Sequence, residues 1–184
     1  MFGRWFGKPS LQSEDRVWLD RAACERGLRT DVARALQDGH AVLLLLRSGI
    51  DLDTVARDLS AHAPRVADDP YAAGDLHTHL ATAGALGLSR VDALRPIAGG
   101  QTRRAPLQVH VRARDTRRRG DQRLLELLTP WAPTTLVFHH AFDDVLLRAH
   151  AAQLKPLLQR LDFGSGDSIS SALLTRALER VQQP

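Results

Sequence analysis

The apolar positions of this chain fall into short blocks whose spacing changes from one to the next. His40-Ala-Val-Leu-Leu-Leu-Leu-Arg47 is continuously apolar between Gly39 and Ser48-Gly49, which predicts a strand covered on both faces, the habit of a parallel sheet. Leu107 to Arg112 and the β-branched run Thr134 to His139 are further strands, with a short one at Arg65 to Ala67 and another at Ser89 to Leu94. Between these runs the period lengthens: Leu52, Val55, Ala56 and Leu59 recur at helical spacing within 51–61, and 75–86, 115–128, 143–161 and 167–182 are helical in the same sense. At the front, Ser13 followed by Glu14 and Asp15 predicts a capped helix ending near Gly27, with a second helix over 30–37. Strands alternating with helices imply a three-layer α/β sandwich around a mostly parallel sheet of about five strands, with N- and C-terminal helices. Residues 1–12 break off at Pro9 before any period develops and are expected to be a flexible or docking arm, leaving 13–184 as a single domain.

Composition narrows the class. The 184 residues are 43% hydrophobic and 25% charged, enough for one real core. The single Cys24 excludes intramolecular disulfides, no apolar run approaches membrane-spanning length, and the start lacks the pattern of a secretory signal, so the cytoplasm is the expected compartment. The net charge of +4 conceals a skew toward arginine, because Lys8 and Lys155 are the only lysines. A GC-rich bacterial genome produces the same Arg, Ala and Leu bias, so charge alone does not select an acidic partner.

Candidate chemistry is sparse. Gly3-Arg-Trp-Phe-Gly7-Lys8 superficially resembles a phosphate-binding loop, which needs four residues between its glycines, Ser or Thr after the Lys, a strand before it and a helix after it. Here Pro9 follows Lys8 and the spacing is one short. His139 and His140 fall where a strand should end, the edge at which open α/β sheets bind ligands, and an enzyme centred on them is one reading. Strand neighbours point to opposite faces, however, and His77 and His79 diverge on a helix. A metal site would need the fold to join these pairs with Asp75 or Asp144. Cys24 fits a core thiol better than a nucleophile, and Gly164-Ser165-Gly166 joins two helices rather than the strand and helix of a nucleophile elbow. No catalytic residue, metal ligand or cofactor is assigned.

Arginine is the densest feature. Arg103, Arg104, Arg112, Arg114, Arg117, Arg118, Arg119 and Arg123 are set against only Asp115 and Asp121 in the same stretch. Guanidinium groups at this density can bind phosphates, which makes nucleic-acid binding the alternative function. The segment offers no aromatic interleaving, and its strand and helix periods should spread the side chains over several faces, with Asp121 flanked by Arg119 and Arg123 and Glu126 one turn along. Aromatic residues point instead to another protein as partner. Phe2, Trp5 and Phe6 lie in the arm, and Trp131, between Pro130 and Pro133, is either an exposed contact or a core plug.

The C-terminal half carries a family pattern. Arg118-Arg-Gly-Asp-Gln122, Phe138-His-His-Ala-Phe-Asp-Asp-Val-Leu-Leu-Arg148, Leu157-Leu-Gln-Arg-Leu-Asp-Phe-Gly164 and Ile169 through Gln182 resemble, in order and near spacing, the SecA preprotein translocase motor. They match the end of its second RecA-like nucleotide-binding domain and the start of its helical scaffold. Asp38 to Leu46 with the 51–59 helix resembles that domain's first strand and helix, and Ala83-Gly84 through Thr102 falls where the family carries an Ala-Gly-Arg-Gly-Thr-Asp loop. The resemblance spans about 36–182 and implies a RecA-like fold. It departs where the family places its ATP-reaching arginines: Gln122-Arg-Leu-Leu-Glu-Leu-Leu-Thr-Pro-Trp131 is mostly apolar there. These residues also contain no counterpart of the family's first nucleotide-binding domain. Without a phosphate cradle and finger arginines the barrier to ATP hydrolysis is not lowered, so the expected function is non-catalytic protein binding, in protein export or another cytoplasmic assembly.

Overall fold

A computed structural model describes residues 11, 13–69, 73–97, 105–160, 162–164 and 166–184. The elements are β1 (Ser13–Trp18), α1 (Arg21–Gln37), β2 (Ala41–Leu46), α2 (Leu52–Asp58), β3 (Arg65–Ala67), α3 (Ala73–His79), β4 (Leu86–Arg90), β5 (Leu107–Arg112), α4 (Arg118–Leu128), β6 (Thr135–Ala141), α5 (Arg148–Arg160), β7 (Ser168–Ile169) and α6 (Ala172–Val181). They form an α/β sandwich around a 7-stranded sheet of order β3-β4-β2-β5-β6-β1-β7. All neighbours pair in parallel except β7, which runs antiparallel to β1.

The alternation of strand side chains divides the core into two layers. Ala41, Leu43 and Leu45 of β2 face Leu76 and Leu80 from the α3 region and Leu124 and Leu128 of α4. Val42, Leu44 and Leu46 face Leu28, Val32 and Ala35 of α1 and Leu52 of α2. A fully apolar β2 is the consequence of helices on both sides. Gly87 of β4 belongs to the first layer, where a Cβ would press against the Leu76 and Leu80 side chains.

The front of the chain is where the expected elements give way. Ser13 to Trp18 is a strand inside the sheet, and one helix, α1, replaces the two expected. Asp20 is its N-cap, accepting from the Ala23 amide at 2.7 Å. Gly27 does not stop it, because the Trp18 ring lies where a Cβ would be and the glycine serves close packing. Leu11 packs against the first core layer, and the rest of the expected arm, 1–10 and 12, lies outside the described residues. Elsewhere the helix expected over 75–86 ends by His79, the third strand lies at 86–90 rather than 89–94, and α5 starts only at Arg148. The seven strands are the five expected plus β1 and β7. Among the described residues no helix is long and apolar enough to cross a membrane.

Candidate functional site

The carboxyl ends of β2, β5, β6 and β1 hold a lattice of buried charge. Asp15, on β1, has no exposed surface. Its Oδ1 accepts from Arg114 Nε at 2.7 Å and lies 2.8 Å from His140 Nε2, and its Oδ2 accepts from Arg114 Nη2 at 2.9 Å. Burial would raise the Asp15 carboxyl, but the hydrogen bonds from His140 and Arg114 prevail and hold it down at about 2. Arg114 also reaches Asp121 at 3.2 Å and lies over the Phe138 ring, 4.3 Å from its centroid. Asp121 further accepts from Arg47, from the Asp115 amide at 2.9 Å and from Gln182 Nε2 at 2.7 Å. Arg47 completes its donors on the Ala113 carbonyl at 3.0 Å and Asp115 at 3.1 Å.

Ala113 explains how neighbouring arginines serve both layers. Residues two apart on a strand share a face, yet Arg112 turns to Asp144, with bonds of 2.6 and 3.0 Å, while Arg114 turns to Asp15. The switch is the left-handed backbone of Ala113, φ 66°, a conformation that costs an alanine on the order of 1–3 kcal/mol and persists only where its surroundings impose it.

Beside the lattice lies a cavity of about 620 Å³. β2 leads into α2 in one layer and β5 into α4 in the other, so the chain diverges above two adjacent strand ends, the place where open α/β sheets accept ligands. Leu28, Leu44, Leu46, Ile50, Val55 and Leu59 supply its apolar lining.

The histidines are interior rather than ligand-facing. His139 Nε2 lies 2.9 Å from His110 Nδ1 beneath α1, and neither ring reaches solvent. Burial, reinforced by Arg16, lowers His110 to about 4; burial, then His110 and Arg16, lowers His139 well below its ordinary value. Both are neutral at pH 7, so the 4.0 Å approach of His139 to Asp31 is not an ion pair. Asp31 pairs instead with Arg16 at 2.6 Å. His140 is held by Asp15, and among the described residues no three His, Cys, Asp or Glu side chains converge as metal ligands. Cys24 is buried, and its burial pushes the thiol up to about 12, away from nucleophilic use.

The arginine cluster divides. Arg112 and Arg114 are interior ion-pair partners and cannot serve an anion-binding face. Arg117, Arg118, Arg119 and Arg123 are exposed at the start of α4. Asp121 does not pair with Arg119 or Arg123, because it sits on the inward stripe of α4 with Leu124 and Leu128. Trp131 is 1% exposed and meets His77 edge-on at 5.2 Å, so it is the core plug and not a docking contact. Phe2, Trp5, Phe6, Arg103 and Arg104 lie outside the described residues.

Sequence reasoning missed Asp15 and Arg47 altogether. Asp15 carried no readable signal, since its partners lie about a hundred residues away. Asp121 did: an acid in register with Leu124 and Leu128 marks an inward-facing charge. The other surface feature is apolar. None of the 13 residues of α5 is buried, and Leu154 and Leu157 are 40% and 54% exposed. Val145 and Leu173, before α5 and on α6, are 68% and 76% exposed.

No family model matches the chain, and no curated protein matches it.

Proposed function

We propose that the chain is a non-catalytic protein-binding module on a RecA-like α/β fold. The observation that supports this reading is the aliphatic surface of α5 and α6. Both helices rest on the small cluster of Val17, Phe142, Leu147 and Leu178, and they leave Leu154, Leu157 and Leu173 in water. Exposed large aliphatic side chains are what protein interfaces bury. The SecA resemblance of 36–182 suggests protein export as the setting, and the apolar stretch after Gln122 agrees with a fold that turns over no ATP. Proximity labelling in the producing cells tests the reading, with Leu154→Asp/Leu157→Asp as the variant. A discrete labelled protein should disappear from the variant while its melting temperature stays unchanged; identical labelling would refute the surface. The purified chain with ATP and Mg²⁺ should release phosphate no faster than a heat-inactivated control, and faster release would refute the non-catalytic half.

One observation favours a second reading. The exposed guanidinium groups of Arg117, Arg119 and Arg123 make no ion pair among the described residues, which leaves them available to a polyanion.

A further inference from the structure

The cavity above β2 and β5 has a chemistry of its own, separate from the aliphatic face of α5 and α6. Five guanidinium groups line it, those of Arg21, Arg29, Arg47, Arg112 and Arg114, and five carboxylates, those of Glu25, Asp51, Asp58, Asp115 and Asp144. The charges are largely committed in pairs: Arg29 to Asp58 at 2.6 Å, Arg47 to Asp115 at 3.1 Å, Arg112 to Asp144 at 2.6 Å. Arg112 also donates from Nη1 to the His139 carbonyl at 3.1 Å, and Arg47 donates from all three of its nitrogens. Arg21 makes no ion pair among the described residues, but at Arg47 or Arg112 an entering phosphate would have to break a part-buried pair and would meet the freed carboxylate, which costs more than a surface ion pair returns.

A guanidinium whose edges are satisfied still offers its flat faces, which stack on aromatic rings. Between such groups lies the aliphatic lining of Leu28, Leu44, Leu46, Ile50, Val55 and Leu59. The volume, about 620 Å³, is within the range of small-molecule sites. We infer that this cavity is a binding site for an uncharged aromatic compound, held by the aliphatic lining and by stacking on the donor-saturated guanidinium of Arg47, whose side chain is 16% exposed. Anionic nucleotides are disfavoured at its inner end, where Arg47 and Arg112 are already paired.

Indole is the probe. Methyl-labelled protein is titrated with indole, and in parallel with ADP–Mg²⁺ and with inorganic pyrophosphate, while the methyl resonances of Leu28, Leu46, Val55 and Leu59 are followed. The expected result is saturable movement of these methyls by indole, with a dissociation constant on the order of a millimolar, and none by ADP or pyrophosphate. Val55→Trp, which fills the cavity from a half-buried position, should weaken indole at least about tenfold. Thr54→Trp does the same from the exposed rim, and keeps the test open should Val55→Trp fail to fold. Indole that leaves these methyls unmoved, indole binding indifferent to a folded filling variant, or pyrophosphate or ADP bound there more tightly than indole would each overturn the inference.

Discussion

A carboxylate with no exposed surface is tolerated only while its oxygens are saturated with donors, and Asp15 has Arg114 and His140 for that purpose. Asp15→Ala would leave the 3%-exposed Arg114 side chain short of a counter-charge, and should lower stability by about 3–5 kcal/mol in urea denaturation. Asp75, paired with Arg65 at 3.4 Å with both side chains more than half exposed, is the control. Its alanine variant should cost less than about 1 kcal/mol. Equal losses would mean that the interior pair contributes no more than a surface one. The His110–His139 pair sets the response to pH. A histidine lowered from 6.5 to about 4 in the folded state is stabilising while neutral, so its contribution is complete above pH 6.5 and is lost as pH falls toward 4. His110 alone should remove about 2 kcal/mol between pH 7 and pH 5. His110→Gln should flatten that slope in urea melts at the two pH values; an unchanged slope would show that this ring is not responsible. Asp15, lowered from 3.8 to about 2, adds a further loss only below pH 4.

Among the elements, those formed of apolar residues were legible and those formed of paired charges were not. β2, β5 and β6 announced themselves because both of their faces meet helices. β1 has equal access to the sheet, but its sequence is Ser-Glu-Asp-Arg-Val-Trp, and its polar positions are neutralised by Asp31, Arg114 and His140, contributed by distant segments. Polarity patterns carry no strand period where buried charges are paired across the fold. The acidic opening then imitated a helix N-terminus, and Gly27 imitated a helix end. Gly27→Ala tests the account of α1: alanine should gain up to about 1 kcal/mol of helix propensity, yet crowding the Trp18 ring should cost about 1–3 kcal/mol. A net loss of stability is expected, with a change in near-UV circular dichroism from Trp18; a stabilised variant would mean that the ring moves aside freely. For α4, the exposed arginines predict weak, salt-sensitive association with nucleic acid, falling by roughly one log unit per log salt for each phosphate contacted. Sub-micromolar binding at about 0.15 M salt, lost in Arg117→Ala/Arg119→Ala/Arg123→Ala, would promote the second reading over protein binding.

At the scale of the whole molecule, the sheet and the C-terminal helices are held by different means. β2 is buried at every position, whereas α5 buries none and α6 buries only Leu178. Besides the small cluster of Val17, Phe142, Leu147 and Leu178, a set of polar contacts at its far end fixes the C-terminal segment. Gln182 donates to the Asp115 carbonyl and to Asp121, both at 2.7 Å, Gln183 donates from its amide to the Thr116 carbonyl at 2.9 Å, and Arg118 bonds the Glu179 carbonyl at 2.6 Å. A segment with few buried apolar contacts opens at a lower free energy than the sheet it rests on. Hydrogen exchange should therefore show two classes of amide: β2, β5 and β6 exchanging only with global unfolding, and α5 exchanging earlier by local opening. Gln182→Ala removes both side-chain bonds to the lattice and leaves Asp121 with Arg47 and Arg114, so it should speed exchange across α5 and α6 while leaving β2 protected. A partner bound to Leu154 and Leu157 should slow the same amides, which couples the proposed docking face to the lattice through α6. If α5 in the free protein proves as protected as β2, or if Gln182→Ala accelerates the whole sheet equally, the C-terminal helices are integral to the cooperative core and the docking face is not a separately mobile element.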